Sequence, residues 1–127
     1  MNHLLEIIIL AFLAITFLQS GYDKATDWKG NVSWLQSHFS KTFLADKVPF
    51  SLAIILLLEI LAGIFAIIGI VAFFINGSAD FALISALLSS ITLLLLLLGQ
   101  RLAKDYDGAR TIVIYFIPTI FLLFLLK

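Results

Sequence analysis

Four apolar runs dominate this chain, and a run of that kind leaves few choices of fold. They extend from about Leu4 to Tyr22, Phe50 to Ile75, Phe81 to Leu98 and Thr111 to Leu126. A membrane-spanning helix takes about 20 mostly apolar residues. The first, third and fourth runs are near that length, and the second exceeds it, so it is expected to tilt or to project into the interface. None alternates with period two, as the strands of a membrane barrel would. In hydrocarbon each backbone amide must find its partner inside its own segment, so such runs become helices.

Composition supports the bilayer as solvent. Of the 127 residues, 62% are hydrophobic and 13% are charged, and the mean hydropathy is +1.14. Soluble domains carry about 25% charged residues. A soluble domain of this size also has too much surface per volume to hide so much apolar area. The formal net charge is zero, which gives no reason to expect a nucleic-acid partner. The chain has no cysteine. Disulfides, thiolate metal sites and an internal dithiol redox centre are therefore excluded. Its two histidines, His3 and His38, are too few and too far apart to suggest a metal site. Glu6 stands where a signal peptide would carry a basic residue, and no small-x-small cleavage pattern follows. The first run is thus expected to be a retained helix.

The connections are unequal. Asn76 to Asp80 reads as a tight turn, and Gly99 to Arg110 as a short charged loop. Two short links imply that sequential helices pack as antiparallel neighbours. The expected fold is one all-α membrane domain over residues 1–127, an antiparallel bundle of four transmembrane helices. Pro49 suits the first turn of the second helix, and Pro118 should kink the fourth or mark a packing irregularity in it. In the long connection from Asp23 to Pro49, the residues Trp34, Leu35, His38, Phe39, Thr42 and Phe43 recur at helical spacing. That pattern predicts a short amphipathic helix at the interface. It would act as a lid over an opening in the bundle or as an aromatic belt anchor.

With four spans, both termini share one side with the Asn76 turn. Seven basic residues (Lys24, Lys29, Lys41, Lys47, Arg101, Lys104 and Arg110) fall on the other side, against Lys127 alone. The positive-inside rule then predicts cytoplasmic loops and external termini.

Glu59 is the most informative residue. It lies about nine residues into the second run, roughly 14 Å deep at 1.5 Å per residue. A carboxyl at that depth is costly and usually faces the bundle interior with a partner. It would handle a proton or bind a ligand, or else hydrogen-bond a neighbouring helix as structural glue. Ser85, Ser89 and Thr92 share one face of the third helix, as Thr16 and Gln19 do on the first. Glu59, Ser89 and Gln19 are therefore expected to form a polar seam or simple interhelical glue. Ala62, Gly63, Ala66 and Gly69 give the second helix small faces for close packing. A second cluster gathers Gln19, Ser20, Lys24, Gln100, Arg101, Lys104 and Asp105 at the loop-side helix ends. Ser20 and Lys24, and Gln100 and Lys104, are each one helical turn apart. This basic mouth would bind an anionic head group, a quinone carbonyl or a small anion. Snorkelling and surface ion pairs are the alternative.

Gln19-Ser20-Gly21-Tyr22-Asp23-Lys24, followed by Asp27-Trp28, resembles the end of the first helix in DoxX-like membrane proteins. Glu59 with Ala62-Gly63 and Gly69 is similar to that family's second-helix glutamate and glycines. Gly99 to Tyr106 resembles a motif of its Bacteroidetes-type members. The resemblance covers nearly the whole chain. It implies a four-helix protein of the bacterial cytoplasmic membrane, related to the DoxD subunit of thiosulfate:quinone oxidoreductase. Without cysteine, sulfur chemistry here would need a partner subunit or a bound cofactor. No autonomous catalytic constellation is visible, so the expected role is an accessory, non-catalytic subunit of a quinone-linked redox assembly. The other reading is a scaffold or a module binding a lipid-like molecule. The ligand residues expected are Glu59, Gln19, Lys24, Ser89, Gln100 and Lys104. Quinone or lipid would be the non-covalent ligand, and the partners would be membrane lipid with other membrane subunits or further copies of the chain.

Overall fold

The computed structural model describes residues 3–126. Five helices follow in order: α1 Leu4–Thr26, α2 Trp28–His38, α3 Val48–Ile75, α4 Asp80–Leu102 and α5 Tyr106–Leu126. Helices α1, α3, α4 and α5 are long and apolar enough to cross a membrane. They pack antiparallel, α1 on α3, α3 on α4 and α4 on α5, with α5 closing more loosely on α1. The chain is a multi-pass integral membrane protein whose described residues form the all-α bundle that its sequence predicts.

Small residues set the spacing of the central pair. A Cβ on Gly69 would meet the Cα and backbone N of Ala82 at 3.0 Å. Ala62, Ala66, Ala82 and Ala86 are fully buried around that contact, so the two backbones approach closely. Gly63 serves a different neighbour. Its missing Cβ admits Leu18 of α1. The larger core side chains, Leu10, Leu13, Phe17, Leu93 and Leu122, fill the remaining space between the helices.

The helix ends differ from the expected ones, for local chemical reasons. Helix α1 continues past Tyr22 to Thr26, and α2 begins at once at Trp28. The break falls at Asp27, where Asn31 Nδ2 donates to the Asp27 carbonyl at 2.8 Å and to the Asp23 carbonyl at 3.3 Å. The helical pattern expected through Phe43 stops at His38. There Thr42 Oγ1 donates to the Phe39 carbonyl at 2.9 Å and accepts the Leu44 N–H at 3.1 Å. A hydroxyl bonded this way offers the backbone an alternative to the helix.

The expected loop from Gly99 to Arg110 is mostly helix, and only Ala103 to Asp105 lie outside α4 and α5. Asp105 donates its N–H to the Gln100 carbonyl at 2.9 Å, and Lys104 to the Arg101 carbonyl at 3.1 Å. This is a Schellman ending, with Lys104 in the left-handed region at φ 60°. Asp105 then caps α5, its Oδ1 accepting the Gly108 N–H at 2.9 Å. The Asn76 turn forms as expected, with Gly77 at φ 71° and Asn76 Oδ1 accepting the Ser78 N–H at 2.9 Å. Helix α5 runs on through Pro118, where the Ile114 carbonyl lacks an amide partner.

Helix α3 has 28 residues, about 42 Å at 1.5 Å per residue. Its Leu56 and Ile60 face Gly21 of α1. From that register its first turns pass roughly 7 Å beyond the end of α1. There they meet α2.

Candidate functional site

A carboxyl deep in an apolar helix needs a partner, and the α1–α3 register supplies two. Glu59 is 2% exposed. Its Oε2 accepts a hydrogen bond from Ser20 Oγ at 2.8 Å. Its Oε1 lies 2.9 Å from Lys24 Nζ but off the hydrogen-bonding direction, so that attraction is ionic. Lys24 Nζ in turn donates to Ser20 Oγ. Three groups from two helices thus close a triangle, in which Ser20 both accepts from the ammonium and donates to the carboxyl. The helical spacing of Ser20 and Lys24 puts both on the α1 face that Gly21 brings close to α3.

Ser85 Oγ on α4 donates to the Ala62 carbonyl of α3 at 2.8 Å. Ser89 lies one turn further toward the loop side, level with Glu59 on α3. Its hydroxyl is fully buried and has no hydrogen-bond partner among the described residues. Gln19 is exposed on α1 and stands outside the triangle. Glu59 is bonded instead by Ser20, one position further along, and Ser89 does not join them.

On the loop side a cavity of about 560 Å³ opens between α2, the start of α3 and the end of α4. Trp34, Phe39, Phe43, Leu52, Ile55 and Leu96 give it largely apolar walls. Lys24, Asn31, Ser51 and Gln100 are its polar lining. Lys24 both lines the cavity and touches Glu59, which couples the buried carboxyl to the opening.

Gln100 does more than line the cavity. Its Oε1 sits 2.9 Å from His38 Nε2, and Asp105 Oδ2 lies 3.6 Å from the same nitrogen. His38 stacks on Trp34 with ring centroids 4.7 Å apart and meets Phe39 edge-on. The end of α2 is therefore fastened to the α4–α5 turn beside the cavity mouth. Gly108 makes room for this, because a Cβ there would meet the Gln100 amide and the Asp105 carboxylate.

The expected basic mouth divides in two. Lys24 and Gln100 share the cavity, whereas Lys104 lines a neighbouring crevice. Gln100 and Lys104 are not a helical pair, because α4 ends at Leu102 and Lys104 is left-handed. Arg101 lies over the Tyr106 ring at 5.2 Å. Among the described residues, no three His, Asp or Glu side chains converge as metal ligands would.

Comparison of the chain with protein-family models, with curated proteins and with solved structures gives no match.

Proposed function

We propose that this membrane protein is a non-catalytic subunit of a quinone-linked assembly, and that its loop-side cavity holds the quinone. The observation that carries the reading is Lys24, which stands at once in an apolar, aromatic-walled cavity and against a buried carboxyl. A quinone is a flat ring with two carbonyl acceptors and an apolar tail. Its tail and ring suit the apolar walls, and a carbonyl suits the Lys24 ammonium or the Gln100 amide. The cavity volume lies within the roughly 300–1,000 Å³ range of small-molecule sites. Reduction of a quinone takes up two electrons and two protons. In this reading a partner redox subunit would supply the electrons and the chemistry, while Lys24 would hold a ring carbonyl and Glu59, linked to it through Ser20, would accept or relay one of the two protons. The resemblance of the Gln19–Lys24, Glu59 and Gly99–Tyr106 stretches to DoxX-like proteins points the same way.

The test is fluorescence. Trp34 lines the cavity, and a bound quinone quenches indole emission. A short-tailed menaquinone added to the protein in nanodiscs is expected to quench Trp34 saturably. Lys24→Met should weaken the binding about tenfold, the effect of losing one hydrogen bond to a charged group. Linear quenching, unchanged in Lys24→Met, rejects the quinone. Saturable displacement of a bound phospholipid instead favours the lipid-binding or scaffold role, which the apolar walls also suit.

The same proposal places the protein in the bacterial cytoplasmic membrane with its charged loops in the cytoplasm, following the basic residues. The cysteine-free chain makes this directly testable. A cysteine at Ser40 should resist an impermeant maleimide in intact cells, and one at Ser78 should react. The reverse pattern inverts the topology.

A further inference from the structure

A second opening lies beside the cavity, with Leu102 lining both. It is a crevice of about 360 Å³ between the end of α2 and the α4–α5 turn. Its polar lining is Ser37, His38, Ser40, Lys41, Thr42 and Lys104. Among the described residues, no acidic one lines it. Neither Lys41 nor Lys104 has an ion-pair partner among the described residues. The nearby Asp105 is engaged elsewhere, with one oxygen on the Gly108 amide and the other facing His38.

Lys104 carries a second signal. It occupies the left-handed position of a Schellman ending, where glycine fits without strain. An L side chain there is disfavoured by contact of its Cβ with the following carbonyl. Helix termination alone would be served better by glycine. The lysine adds an ammonium at the crevice wall, opposite the segment that carries Lys41.

We propose that this crevice binds a phosphate group, held by the ammonium groups of Lys41 and Lys104 and the hydroxyls of Ser37 and Ser40. Phosphate offers several strong acceptor oxygens. Cationic donors bind such oxygens in charge-assisted hydrogen bonds, and hydroxyls supply the remaining donors. The Thr42 hydroxyl is already committed to Phe39 and Leu44, so it shapes the wall. The phosphate comes either from a phospholipid head group at the loop-side surface or from free phosphate. The proposal is independent of the quinone reading, because neither Lys24 nor Glu59 lines this crevice.

The test uses the full chain in detergent, with phosphatidylglycerol, diacylglycerol and inorganic phosphate as probes. Lys41→Gln and Lys104→Gly are compared with Lys29→Gln, which removes an exposed charge outside the crevice. Each crevice variant is expected to weaken binding about tenfold, and Lys29→Gln to leave it unchanged. Lys104→Gly should also raise the melting temperature, because it relieves the left-handed strain. Its loss of binding would then not be a loss of folding. Retention of phosphatidylglycerol over diacylglycerol, lost in both crevice variants, identifies a lipid head group. Thermal protection by inorganic phosphate, lost in the same variants without lipid preference, identifies a free anion. The proposal is overturned if neither probe binds, or if Lys29→Gln loses as much binding as the crevice variants do.

Discussion

The two halves of α3 are built to different rules. From Ala62 to Phe73 the helix packs through small residues, with Gly69 against Ala82, and the Ser85 hydroxyl that enters this seam is bonded to the Ala62 carbonyl. From Val48 to Glu59 it lines a cavity and ends on a buried carboxyl tied to Ser20 and Lys24. One helix therefore carries a close-packed seam that sets the distance to α4 and a cavity-lining stretch that ends on a buried charge. In lipid the close-packed seam is explained by packing alone, since close backbone approach is what drives helices together there. The buried charge is not explained by stability. A buried ion pair is often no better than apolar residues of the same volume, so its presence argues for a task.

That contrast can be broken by substitution. The largest effect is expected for Lys24→Ala, which strands a carboxylate inside the bundle. Removing one partner of a buried pair costs about 3–5 kcal/mol. Thermal unfolding in detergent should show this, and the double variant Lys24→Ala with Glu59→Leu should recover most of it. A single variant that melts like wild type would mean that the pair is solvated and that the cavity-lining stretch resembles an ordinary surface. A smaller loss is expected for Gly69→Val, about 1–3 kcal/mol for overpacking. It should separate α3 from α4 while leaving ligand affinity in the folded fraction unchanged. If Gly69→Val weakens binding as much as Lys24→Met does, the two halves of α3 act as one unit and the contrast fails.

Most of the fold was legible because its signal is long and redundant. Each span repeats the same apolar preference over many residues, so no single residue decides it. The helix ends were less legible, because each rests on a few atoms. Lys104 closes α4 in a conformation that favours glycine, and Thr42 diverts a chain whose apolar pattern runs on to Phe43. The site lay between these cases. Glu59 stood out as an isolated charge, and Ser20 with Lys24 as a helical pair, but nothing in the sequence sets the register of α1 against α3. That register depends on which small residue meets which large one, here Gly21 with Ile60 and Gly63 with Leu18. It brought Ser20 to Glu59 and left Gln19 exposed. The link from His38 to Gln100 and Asp105 spans distant parts of the chain. Its only sequence trace was an isolated histidine on a helical stripe.

The most direct test of the account is native mass spectrometry of the gently solubilised complex, with quinone and lipid extracted from the same preparation. Glu59→Gln is measured beside the wild type, because the amide keeps its size and its hydrogen bond to Ser20 while removing the charge. The account predicts stoichiometric quinone or an attached redox subunit in the wild type, and clearly reduced quinone retention in a folded Glu59→Gln variant. A lone oligomer carrying only bulk phospholipid, identical in both proteins, would contradict it and leave Glu59 as a structural link between α1 and α3.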